Sequence, residues 1–183
     1  MRLNGYRRAC GQRNGGLREI ALVQADAVSG VSFDAGTGMV SEVRLVDGGA
    51  WAVYRFKEDE AAYAERAVVG AAGALVTHVL SFTLECMSPD AARAVGELVM
   101  GAPNGLLAIL VTNNGDRFLV GYSERFGLQY PLRLKTAAGE SGRRITDVST
   151  EVITLESIDT EKACACAIPP FHKERRDLSL VCL

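Results

Sequence analysis

Residues 75–121 read LVTHVLSFTLECMSPDAARAVGELVMGAPNGLLAILVTNNGDRFLVG. From Val76 to Cys86, the residues Val76, His78, Leu80, Phe82, Leu84 and Cys86 alternate with Thr77, Val79, Ser81, Thr83 and Glu85. That period of two predicts a strand with one buried face. Ser88 suits an N-cap, Pro89 the first helical position, and Asp90 the positive end of the helix dipole. Ala91, Val95, Leu98 and Val99 form a narrow apolar stripe, although Ala91 stands where Glu or Gln would complete a capping box. Gly101 is expected to end the helix in a left-handed conformation, with Pro103 blocking its continuation. Leu106 to Val111 is apolar at every position, which suits a strand covered on both faces. Asn113-Asn114-Gly115-Asp116 then predicts a tight turn into a returning strand, Arg117 to Gly121.

Outward from this stretch the pattern stays strand-rich. Leu17 to Val23 reads as the first strand, and Gly30 to Gly38 as turn-rich. Met39–Val46 and Ala50–Lys57 are expected to pair as a hairpin around Asp47-Gly48-Gly49. With Asp47-Gly48 as the turn, Arg44 lies opposite Trp51, in reach of a cation–π contact. Ala61 to Val69 is a strand candidate, turned by Gly70-Ala71-Ala72-Gly73 into the long strand. Gly127 to Leu134 reads as a short strand, Lys135 to Arg144 as a mobile Gly-rich loop, and Thr146 to Ile158 as a further strand. The expected fold is mainly β, an antiparallel sandwich or half-barrel with one short flanking helix. It forms a single domain over residues 17–160, between an N-terminal arm (1–16) and a C-terminal tail (161–183).

The chain has 183 residues, 48% hydrophobic and 23% charged, ordinary values for one globular domain. A net charge of -2 gives no basic footprint for specific nucleic-acid binding. No apolar run reaches membrane-spanning length, and the N-terminus, charged but without an apolar core, does not read as a secretion signal. The five cysteines (Cys10, Cys86, Cys164, Cys166 and Cys182) do not make a disulfide framework, which suits folding in a reducing cytoplasm. Cys86 reads as a core residue of its strand.

Each residue group with chemical potential has a plainer reading. Cys164 and Cys166 lack the second ligand pair that a zinc site brings, and read as tail cysteines. His78 has no nucleophile partner in sequence and reads as a satisfied or rim histidine. Asn113–Asp116 lacks the spaced carboxylates of a calcium loop. Gly36-Thr37-Gly38 lacks the context of a nucleotide fingerprint. Glu58-Asp59-Glu60 reads as a solvated acidic loop. The expectation is a chain without catalytic, cofactor-binding or metal residues.

The order of these elements carries a resemblance. Asn14-Gly15-Gly16-Leu17-Arg18-Glu19-Ile20 opens the match, and Trp51-Ala52-Val53-Tyr54-Arg55-Phe56-Lys57 follows with its acidic sequel. Then come the strand from His78 to Glu85, the helix from Pro89, and the hairpin Ala108-Ile109-Leu110-Val111-Thr112-Asn113-Asn114-Gly115. Phe118-Leu119-Val120-Gly121, Gly127-Leu128 and the strand Thr150 to Leu155 complete it. In this order the chain resembles tail-tube structural proteins of tailed bacteriophages, as in phages and prophages of Bacteroidetes. The resemblance spans Asn14 to Ile158. It departs in the cysteine-bearing tail after Glu161 and in the Ala-rich stretch Ala61 to Ala74. It implies a virion protein, assembled in the bacterial cytoplasm, that joins copies of itself into hexameric rings stacked as a tube. Its implied partners are tape-measure, terminator and baseplate proteins, with double-stranded DNA as passing cargo and no membrane. A tail terminator or head–tail joining protein shares the fold; a small-molecule-binding β-barrel is the alternative of a different class. The arm (Tyr6, Arg7, Arg8, Arg13) and the tail (Phe171, Leu178, Leu180, Val181) are expected to order against neighbouring subunits.

Overall fold

The computed structural model describes residues 13–71, 73–85, 88–144 and 146–168. The expectations for Cys86, for most of the arm and for the apolar tail residues lie outside that range. Eleven strands are described: β1 (Leu17–Gln24), β2 (Val28–Phe33), β3 (Val40–Leu45), β4 (Ala52–Arg55), β5 (Ala61–Gly70), β6 (Gly73–Glu85), β7 (Leu106–Thr112), β8 (Arg117–Val120), β9 (Arg133–Glu140), β10 (Thr150–Asp159) and β11 (Cys164–Ala165). One α-helix, α1 (Pro89–Gly101), lies between β6 and β7. No helix among the described residues is long and apolar enough to cross a membrane.

The strands form three layers. A five-stranded sheet, β11-β8-β7-β1-β4, lies between a four-stranded sheet, β5-β6-β10-β9, and the hairpin β2-β3. The named strand pairs are all antiparallel, and no sheet closes into a barrel. The all-apolar β7 explains the layering. Leu106, Ala108 and Leu110 face the four-stranded sheet, where they meet Leu80, Phe82, Ile153 and Leu155. Leu107 and Ile109 face the other way, onto Val28, Val40 and Cys166. Two cores on opposite faces of one strand require apolar residues at every position.

Helix α1 caps one margin of the first core through Leu98. Ser88 caps it as expected, its hydroxyl accepting from the Ala91 amide at 3.1 Å. Its C-terminus differs from expectation. Gly101 stays right-handed at φ -79°, the chain continues into a 3-10 turn over Ala102–Asn104, and Gly105 takes the positive φ of 77°. A Cβ at Gly101 would lie 2.8 Å from Gln24 Nε2, the end of an exposed, flexible side chain that can move aside.

Two further expectations are corrected. The strands flanking Asp47-Gly48-Gly49 do not pair with each other. β3 pairs with β2 and β4 pairs with β1, so the turn passes the chain from one layer to the next. Arg44 therefore stands opposite Gly30, not Trp51, and its guanidinium covers that glycine. The true hairpin closes over Asp34–Met39, within the stretch read as turn-rich. There one Asp34 carboxylate oxygen accepts from Gly36 N, Thr37 N and Thr37 Oγ1. Those bonds hold the Asp34 carboxyl below its usual range, the Thr37 hydroxyl contributing most.

The loop expected at Lys135–Arg144 is largely strand β9, paired with β10 from Arg133 to Glu140. It is almost wholly exposed, so no apolar alternation marks it. Backbone pairing to β10, which the side chains do not advertise, holds it in place. The tail expected from Glu161 instead continues in the domain through Ile168.

Candidate functional site

Two features of the four-stranded sheet stand apart from the rest of the molecule. The first is its openness. Among the described residues no strand pairs with the outer edge of β5 or of β9, ten and eight residues long. An unpaired edge of that length is a template for another strand unless something blocks it. The face turned away from the core follows from the register. Ala62, Ser81, Thr154 and Thr136 form one row across the sheet, and Ala64, Val79, Glu156 and Arg133 the next. Small and hydroxyl-bearing side chains dominate it. Of its charges, Glu156 is paired with Lys135 and Glu85 with Lys57, leaving Arg66, Arg133 and Glu140.

The second feature is a polar cluster at one end of this sheet. His78 is 3% exposed on the core face of β6, between Glu65 of β5 and Ser157 of β10. Its Nε2 lies 3.0 Å from the Glu161 carbonyl and its Nδ1 2.7 Å from the Tyr63 hydroxyl. A carbonyl can only accept, so Nε2 carries a proton and donates to it. The Tyr63 hydroxyl also lies 3.2 Å from Glu65 Oε2, so its one proton serves either Glu65 or, when Nδ1 carries no proton, Nδ1. Glu65 accepts from Lys162 Nζ at 2.8 Å and from Ala163 N at 3.3 Å. Burial pushes the Glu65 carboxyl up, but these bonds outweigh it and the net shift is down. Burial and the adjoining Glu65 carboxylate push the Tyr63 hydroxyl well above its ordinary range. Glu161 adds its own carboxylate: Oε2 accepts from Ser123 Oγ at 2.8 Å and Glu124 N at 2.9 Å.

These contacts tie the segment from Glu161 onward to all three layers. After the polar cluster, β11 adds to the edge of β8. Cys166 N then donates to Arg117 O at 3.0 Å, and Ala167 N to Val40 O at 2.8 Å. Cys166 is buried in the second core and Cys164 packs against it. Burial, then the nearby Glu161, raises the Cys164 thiol to about 11; burial raises Cys166 to about 12. Both stay protonated near neutrality and are poor nucleophiles there.

The residues weighed from sequence thus have places. His78 is a satisfied core histidine. Serine, histidine and carboxylate do share one row in Ser157, His78 and Glu65. Ser157 Oγ, however, has no hydrogen-bond partner among the described residues, and both His78 nitrogens bond elsewhere. A nucleophile–base relay requires that missing bond. Among the described residues no group of three or more His, Cys, Asp or Glu could hold a metal ion. Asn113 and Asn114 form the β7–β8 turn and also hold the N-terminal segment: Asn113 Nδ2 donates to Gly15 O at 2.6 Å, and Asn114 Nδ2 to Asn14 O at 2.8 Å. Gly36-Thr37-Gly38 belongs to the β2–β3 turn. Glu60 accepts from Lys57 N at 2.7 Å, while Glu58 and Asp59 border a cleft of about 820 Å³ with Arg13. Tyr63, Glu65 and Glu161 escaped the sequence reading, because their partnership depends on strand register and a separation of nearly a hundred residues. No protein-family model, curated protein or solved structure matches this chain.

Proposed function

We propose that this protein is a self-assembling structural subunit of the bacteriophage tail-tube type. In this reading copies join edge to edge into six-membered rings, and the rings stack into a virion tube. Assembly takes place in the bacterial host cytoplasm, with tape-measure, terminator and baseplate proteins as partners. The observation that carries it is the four-stranded sheet with two edges that no described strand pairs. Its strands alternate in direction, so β5 and β9 run antiparallel to each other. The β9 edge of one copy can therefore take the β5 edge of the next as an antiparallel partner, and repetition with rotation closes a ring and removes every edge. The sparsely charged outward face then becomes the lumen. A lining with few free cations lets double-stranded DNA pass without being held by phosphate contacts.

A small-molecule barrel has less support. Leu80, Phe82, Leu110, Ile153 and Leu155, none more than 1% exposed, occupy the space between the sheets where a ligand would sit. Negative-stain microscopy and mass measurement on the purified full chain test the proposal. Six-fold rings stacked as tubes are expected. Single rings that never stack point to the terminator role, and monomers at high concentration contradict both.

A further inference from the structure

The described residues around the tip of the β5–β6 hairpin are exposed. Residues 67–76 contain only Ala, Val, Gly and Leu. β10 ends its pairing with β6 at Asp159 opposite Val76, so the hairpin beyond that row is only two strands wide. Val69 is 81% exposed there, Leu75 57% and Val68 54%. Val68 and Leu75 form a cross-strand pair on the outward face and Val69 lies on the other, so the tip is apolar on both sides. The tip carries no charge or proline to block further pairing.

At the same end of the same sheet, on the opposite edge, is a cleft of about 530 Å³. It opens where β9 stops at Arg133, leaving Ser157 and Ile158 of β10 without a strand beside them. Tyr130, Pro131, Leu134 and Ile158 supply its apolar walls, with Tyr130 and Ile158 themselves exposed. Tip and cleft thus lie on opposite edges of one sheet, at one end; the tip is apolar, and the cleft has apolar walls with Arg133, Lys135 and Glu156 also in its lining.

We infer that the hairpin tip of one copy docks in this cleft of the next copy. The inference rests on the edge-to-edge ring proposed above and names the contact that sets its stagger. Copies aligned without offset would leave Val69 about three residues beyond Ile158. A stagger of that size, roughly 10 Å, brings tip and cleft together. Spread over the four-strand width, it gives a strand tilt of roughly 30°, close to that of closed barrels. The interface is heterologous: each copy offers a tip to one neighbour and a cleft to the other. The tip is too small to form a stable interface alone, so it acts with the strand pairing beside it.

The test uses the full chain, with particle mass measured across a dilution series for wild type, Val69→Glu, Ile158→Glu and their equal mixture. Both positions are exposed, so both variants fold, and circular dichroism checks this. Each variant alone is expected to need at least a tenfold higher concentration to assemble. The mixture retains one good contact, the Ile158→Glu copy's tip in the Val69→Glu copy's cleft, and should stop at particles of two chains. Either variant assembling at the wild-type concentration overturns the inference. So does a mixture giving anything other than two-chain particles while wild type forms rings, an outcome that leaves the ring reading standing. Wild type remaining a monomer overturns both.

Discussion

The five-stranded and four-stranded sheets share a core but differ in what they leave open. In the five-stranded sheet, β7 is buried on both faces and paired on both sides, and even the β8 edge is covered by β11. The four-stranded sheet has one buried face, one exposed face and, among the described residues, two edges with no strand beside them. Both sheets supply the core between them, Leu110 of the first meeting Phe82 and Leu155 of the second. The second keeps long, regular strands on surface the subunit does not bury, the surface that the proposed assembly would cover. Under the proposed function, stability rests on the core between the sheets and assembly on the open face and edges of the second.

Substitutions should separate these two roles. Leu110→Ala empties a fully buried position facing the four-stranded sheet and should cost about 3–4 kcal/mol in urea denaturation. Thr154→Ala, on the outward face, should change the same measurement by less than about 0.5 kcal/mol. Comparable losses from the two would erase the distinction.

The contrast also explains what the sequence made legible. Wherever side chains decide the structure, the reading held: the alternation of β6, the all-apolar β7, the Ser88 cap and the Asn-Gly turn all appear where the residues place them. Wherever backbone pairing decides it, the reading failed. β9, nearly all exposed, carries no periodicity to distinguish it from a loop. β3 and β4 fit either a shared hairpin or separate partners, because alternation fixes which face a residue takes and not which strand lies beside it. The polar cluster was half visible. His78 stood out, but its partners are positioned by register and by the return of the chain at Glu161.

A smaller effect probes that return. Glu65→Gln weakens the attachment of the segment after Glu161 and should cost about 1 kcal/mol at pH 7. The Glu65 carboxyl is lowered on folding. Its contribution is therefore present above the unfolded value, near 4.3, and fades as pH falls through the lower folded value. Urea denaturation of wild type and variant should converge at about pH 3. A constant difference across that range would mean that the charge of Glu65 does not hold the segment.

Amide hydrogen exchange along β5 and β9, compared between dilute subunits and the concentrated assembly, tests the central claim most directly. The account predicts that outward-pointing amides on both edges, unprotected in the subunit, gain at least about tenfold protection on assembly, while β7 is equally slow in both. Assembly that leaves β5 and β9 exchanging as fast as in the free subunit would contradict it.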